Sequence, residues 1–205
     1  MPCHLHLPPA IAAVLLCGGR STRMGQDKAR LDFHGEALWL RQWHLLQQVR
    51  PLRCAVACRQ EQGLHQEPAA PAEAEWLFDP QPHHTGTLGI LSKALSQFEL
   101  PLLLLAVDLP RMTSTTLHWI IGEETTPSLC RIPKHAQGFE PLAALYTPQA
   151  LPMIEQVLQE GDFKLQHLAQ RLLEAGMAEA LCIPETQQAA FCNVNHPEDW
   201  QRLPP

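Results

Sequence analysis

From Leu16 to Lys28 the chain reads Leu16-Cys17-Gly18-Gly19-Arg20-Ser21-Thr22-Arg23-Met24-Gly25-Gln26-Asp27-Lys28, small residues and three cations directly after an apolar run. Consecutive glycines let a backbone approach an anion closely and offer its N–H groups to it. Arg20, Arg23 and Lys28 carry charge enough to neutralise a triphosphate. Two familiar phosphate loops are excluded by spacing: Lys28 stands between Asp27 and Ala29, unlike a Walker A lysine, and the glycines do not follow G-x-G-x-x-G. A solvated glycine turn with exposed arginines is the other reading of these residues. Acidic corners follow two further apolar runs, Asp79-Pro80 and Asp108-Leu109-Pro110. A carboxylate there could hold a hard divalent cation, contact a ligand, cap the next helix or simply make a turn. Asn193 and Asn195 flank Val194, so in an extended segment both amides face one side, to meet a ligand or to satisfy loop backbone.

These groups need a scaffold, and the hydrophobic pattern supplies one. Residues 11–16, 54–58, 76–78 and 102–107 are short apolar runs closed by turn residues, which predict buried strands. Helical spacing covers 37–49, 87–98 and 113–121, the last with Thr113 or Ser114 as N-cap. Strands at 129–132, 142–146 and 180–183 and helices at 149–159 and 164–175 complete the reading. The stretch 60–75 reads as a surface loop or a short helix. Strand alternating with helix predicts an α/β fold, a single doubly wound, Rossmann-like domain over residues 1–205 with a mostly parallel sheet and 102–107 near its centre. The Pro-flanked residues 1–9 read as a mobile terminus. Ligands of such sheets bind beyond the carboxyl ends of the strands, which selects the 18–28 loop, Asp79 and Asp108.

Composition narrows the function classes. The 205 residues carry 15 Lys and Arg against 21 Asp and Glu, a formal charge of −6, without a basic block for nucleic acid or an anionic membrane. The 19 prolines predict frequent stops and few long helices. Seven cysteines form no CxxC pair, and several sit in apolar runs as small hydrophobes, the pattern of a reducing cytoplasm. Val14-Leu15-Leu16-Cys17 faintly matches a lipoprotein cleavage site, but no Lys or Arg precedes Arg20 and Leu16 is too large for its position. The run 102–107 is far short of a membrane span.

The loop G-G-x-S-x-R-M-G-x-D-K resembles the signature loop of the molybdenum cofactor guanylyltransferases and their MobA-like nucleotidyltransferase relatives. Leu105-Ala106-Val107-Asp108-Leu109-Pro110 resembles that family's apolar strand ending in a metal-binding aspartate. Glu140–Tyr146 resembles its substrate-side segment, and Asn193-Val194-Asn195-His196-Pro197-Glu198-Asp199 its terminal motif. The resemblance runs from about residue 12 to 200. It implies the nucleotide-diphospho-sugar-transferase type of fold and transfer of GMP from GTP, with Mg²⁺, to the terminal phosphate of molybdopterin, releasing pyrophosphate. Other cofactor-assembly proteins or acceptor molybdoenzymes are the implied partners. Such a nucleophile is already an anion, so amides, cations and a metal matter more than a general base. The resemblance implies that Arg23 and Lys28 hold phosphates and that Asp108 holds Mg²⁺. It also implies that Leu16, Cys17, Gly18, Gly19, Lys28, Asp79 and Asp108 bind the nucleotide.

Asn193, Asn195 and, more weakly, Lys164 are candidates for the acceptor. The sequence departs from the pattern at Cys17, where alanine is usual, and at Val56, where asparagine is frequent. It departs again at Gly86-Thr87-Leu88-Gly89-Ile90, where a second glycine is expected at Ile90. These departures bear on which nucleotide and acceptor are used. A cytidylyl or sugar-phosphate relative and a non-catalytic nucleotide-binding module are the alternatives. Cys3, His4 and His6, and His83-His84, read as terminal and loop residues rather than metal ligands, and Trp39 and Trp43 as core anchors.

Overall fold

Ala12–Leu16, without a polar side chain, forms β1 in the interior of the sheet. The computed structural model describes residues 10–19, 26–78, 85–125, 127–195 and 197–201. After β1 come a 3-10 turn at Lys28–Arg30, a ribbon of β2 (Asp32–Phe33) and β3 (Glu36–Ala37), and α1 (Leu38–Gln48). Then follow β4 (Arg53–Cys58), two 3-10 turns within 60–66, β5 (Glu75–Phe78), α2 (Gly86–Phe98), β6 (Leu102–Ala106) and α3 (Ser114–Ile121). The chain continues through β7 (Cys130–His135), β8 (Gly138–Phe139), β9 (Ala143–Tyr146), α4 (Leu151–Gln159), α5 (Leu165–Glu174) and β10 (Ala178–Cys182). A 3-10 segment at Glu185–Phe191 and α6 (Pro197–Gln201) end the described order.

The sheet order is β10-β7-β9-β6-β1-β4-β5, with β8 beside β7. β1 pairs in parallel with β4 and β6, and β4 with β5. β9 runs antiparallel to β6 and β7, while β10 is parallel to β7. The mostly parallel α/β expectation holds, with β6 central. Alternation along the strands divides the core into two layers. Ala13, Leu15, Leu103 and Leu105 face Trp39, Trp43 and Leu46 of α1 and Leu117 and Ile120 of α3. Ala12, Val14, Leu102 and Leu104 face Leu88, Leu91 and Leu95 of α2, Ile154 of α4 and Leu168 of α5. Burial of each large side chain in these layers contributes about 1.5–3 kcal/mol.

Several boundaries shift. Thr113 caps α3, its hydroxyl accepting from Thr116 N at 3.1 Å, so Asp108 is not the cap of that helix. β7 runs three residues beyond 132, and β10 begins at Ala178 rather than 180. Residues 60–75 are less superficial than expected, since Gln62 and Leu64 are buried. Among the described residues no helix is long and apolar enough to cross a membrane.

Candidate active site

The chain moves from β1 to β4 to β5 in one direction, then returns through α2 to β6 on the other side of β1. This reversal makes the gap between the carboxyl ends of β1 and β6 the topological switch point, where ligands of open sheets bind. A cavity of about 360 Å³ lies there, floored by Leu16, Cys17 and Ala106 and walled by Gly18, Gly19, Lys28 and Asp108. Cys58 and Arg59 at the end of β4, and Thr87 and Ile90 on α2, close its other sides. Gly86 opens α2 with a φ of +53°, a conformation glycine adopts without strain.

Lys28 stands at the first position of its 3-10 turn, held by Asp27, whose Oδ1 accepts from Ala29 N at 3.1 Å. Its Nζ donates to Asn195 Oδ1 at 2.8 Å and lies 3.4 Å from Asp108 Oδ2. Asn195 arrives because the C-terminal segment docks on the sheet: Phe191 and Val194 are buried, and Val194 N donates to the Asp108 carbonyl at 2.9 Å. Asp199 Oδ2 in turn accepts from Asn195 N at 3.0 Å. Asn193 is exposed, as the alternation around Val194 predicts.

Asp108 Oδ1 is buried and has no hydrogen-bond partner among the described residues. A second carboxylate lies close. In the β6–β9 register Leu105 pairs with Ala143 and Ala106 N bonds Leu142 O, which brings Glu140, just before β9, within electrostatic reach of Asp108, just after β6. Burial, and then the charge of Asp108, push the Glu140 carboxyl up to about 7. His135 Nε2 lies 3.3 Å from Glu140 Oε1. An unsatisfied carboxylate oxygen with another carboxyl beside it fits a hard cation that takes oxygen ligands. Burial raises the Cys17 thiol well above its usual range and the Cys58 thiol to about 11, so both are neutral surface and not nucleophiles.

The structure thus brings Leu16, Cys17, Gly18, Gly19, Lys28 and Asp108 to one cavity, with Asn195 bonded to Lys28. Arg20, Arg23, Asp79, Cys3, His4, His6, His83 and His84 lie outside the described residues. Lys164 does not line the cavity: it stands at the N-terminal boundary of α5, which packs on β8 and β10, the far end of the sheet from β4. Val56 is fully buried inside β4, and Cys58, two residues along the same face, meets the cavity instead. Arg59 and Gln62 escaped the sequence reading, and Glu140 was marked there only as the start of a substrate-side segment, with no role of its own. Arg59 was within reach of it, because the rule that selected the ends of β1, β5 and β6 applies equally to the end of β4. No spacing signal marks Glu140.

A glycine turn, a lysine and an aspartate gathered at the switch point of an open sheet define a nucleotide-binding α/β protein. Comparison with known proteins narrows the class. Residues 13–184 match the model of the MobA-like NTP transferase domain, and the chain belongs to that family. A Synechococcus elongatus relative named probable molybdenum cofactor guanylyltransferase is 36% identical over 199 residues, covering 94% of this chain and 97% of its own. The molybdopterin-guanine dinucleotide biosynthesis protein A of Archaeoglobus fulgidus superposes with a TM-score of 0.68 at 23% identity, over 93% of this chain and 95% of that one. A Mycobacterium tuberculosis protein solved in complex with manganese superposes with a TM-score of 0.63 at 16% identity, over 94% and 97%.

Proposed function

We propose that the protein transfers GMP from GTP, with Mg²⁺, to the terminal phosphate of molybdopterin, acting as a molybdenum cofactor guanylyltransferase within one nucleotidyltransferase domain over residues 1–205. The observation that carries this reading is the Lys28 ammonium held between Asp108 and Asn195 beside Gly18-Gly19 at the switch point. Family membership and the name of the Synechococcus relative support the choice of nucleotide and acceptor. In the reaction an acceptor phosphate oxygen bonds to the α-phosphorus of GTP, and the bond from that phosphorus to the bridging oxygen breaks, releasing pyrophosphate. Asp108, with Glu140 beside it, would hold the divalent cation, which supplies neutralising charge to the phosphates when bound. Lys28 binds the phosphate chain, Asn195 orients the lysine, and the Gly18 and Gly19 amides donate hydrogen bonds to the remaining phosphate oxygens. Arg23 is assigned to the same phosphates, Asp79 to the nucleotide, and Asn193 to the acceptor. No side chain has to remove a proton, because the attacking phosphate oxygen is already ionised.

Calorimetric titration of the protein with GTP, CTP, ATP and UTP, each with and without Mg²⁺, tests the reading. Preferential binding of GTP is expected. Preference for another nucleotide would move the activity to a different nucleotidyl transfer, and binding of none would overturn it.

A further inference from the structure

In an extended strand successive carbonyls alternate between the two neighbouring strands. Beyond β1 that alternation stops. Gln62 Nε2 donates to the Cys17 carbonyl at 3.0 Å, and Arg59 Nη1 donates to the carbonyls of Gly18 and Gly19, each at 2.6 Å. Three consecutive carbonyls therefore point to one side, toward the segment that follows β4. A trans peptide carries its N–H opposite its C=O, and no peptide bond among the described residues is cis. The amides of Gly18 and Gly19 must then face the other way. Because β1 lies between β4 and β6, that direction is the β6 side, where Asp108 and Lys28 stand.

The same short segment holds the far end of the loop. Gln62 Nε2 also donates to Asp27 Oδ1 at 3.1 Å and Oδ2 at 2.9 Å, while its Oε1 accepts from Arg59 N at 3.3 Å. Asp27 caps the turn that carries Lys28. Arg30 closes the connection, with Nη1 on Asp27 Oδ2 at 3.0 Å and Nη2 on the Gln62 carbonyl at 2.6 Å. We propose that Arg59 and Gln62 are positioning residues: by holding the carbonyls of residues 17–19 and the carboxylate of Asp27, they turn consecutive loop amides and Lys28 toward one polyphosphate. The inference rests on the nucleotidyl-transfer reading and assigns to two residues of the β4 side the polarity of the site across from them.

The test compares binding of Mg·GTP, inorganic tripolyphosphate and guanosine, by calorimetry well below each melting temperature, among wild type, Arg59→Ala, Arg59→Lys and Gln62→Leu. Arg53→Ala serves as a control at the opposite end of β4. Arg59→Ala and Gln62→Leu are expected to weaken GTP and tripolyphosphate by about 10- to 100-fold, the scale of a lost hydrogen bond to a charged group, and to leave guanosine within about threefold on the same scale. Arg59→Lys restores part of the loss, and Arg53→Ala changes nothing. A merely structural role would weaken all three ligands together, and that result overturns the proposal. Unchanged tripolyphosphate binding in every variant overturns it too, while leaving guanylyl transfer standing. Failure of wild type to bind GTP overturns both. Should Arg59→Ala fail to fold, Arg59→Lys and Arg59→Gln carry the same comparison.

Discussion

Lys28 occupies a place where a divalent cation would also be drawn, and its removal should therefore change metal and nucleotide binding in opposite directions. Its Nζ is 3.4 Å from Asp108 Oδ2, and the two side chains are 14% and 20% exposed. That separation exceeds the 2.7–2.9 Å of a short charge-assisted hydrogen bond, so the pair is held chiefly by charge. Unit charges at this distance attract by about 1.2 kcal/mol in the dielectric of water and about 5 kcal/mol at an effective value near 20. Lys28→Met keeps the length and apolar stem but removes the competing charge. Even the weaker attraction corresponds to roughly eightfold in an equilibrium constant. In nucleotide-free protein, Mn²⁺ should thus bind Lys28→Met at least about eightfold more tightly than wild type, read by electron paramagnetic resonance of the free ion. The same variant should bind GTP more weakly, because the phosphates lose their ammonium. Mn²⁺ affinity that is unchanged or lower in Lys28→Met would refute competition at Asp108.

Asp108→Ala should lower guanylyl transfer, followed as pyrophosphate release, by at least about 100-fold, with a circular dichroism spectrum like that of wild type; turnover within a few-fold would remove Asp108 from the metal site. The Glu140 carboxyl titrates near 7 in the fold against an ordinary 4.5, because burial and then Asp108 disfavour its charge. Between those values the native state holds a proton that the unfolded chain has lost, so this residue makes stability fall as pH rises from about 4.5 to about 7, with no further change above. Glu140→Gln should flatten that part of the melting-temperature profile measured without metal, and parallel profiles for the two proteins would contradict the assignment.

Much of this molecule is written in local pattern. The continuous apolar run 102–107 reads as a strand covered on both faces, and its residues 102–106 form β6 at the centre of the sheet. Trp39 and Trp43, one helical turn apart, are 0% and 1% exposed. The glycines after β1 and the aspartate after β6 were legible as candidate site residues because turn chemistry and strand ends are properties of neighbouring residues. The short ribbon of β2 and β3 and the inward turn at Gln62 were not, since a two-residue strand and a single buried glutamine leave no periodic trace.

Local pattern alone thus marks the longer strands, the composition of the loop between Gly18 and Lys28, and the family to which these motifs point. Which distant groups meet is set by long-range packing. Lys28 and Asn195 are 167 positions apart and bond at 2.8 Å, because the C-terminal segment folds back and buries Val194 against the end of β6. Glu140 feels the charge of Asp108 because β9 runs antiparallel beside β6 and brings the two strand ends together. Arg59 and Gln62 reach the glycine loop because β4 pairs with β1 in a register that sets Leu16 opposite Ala57, one residue before β4 ends. Each of these contacts follows from strand order and register, which packing of the whole chain selects and no local window contains.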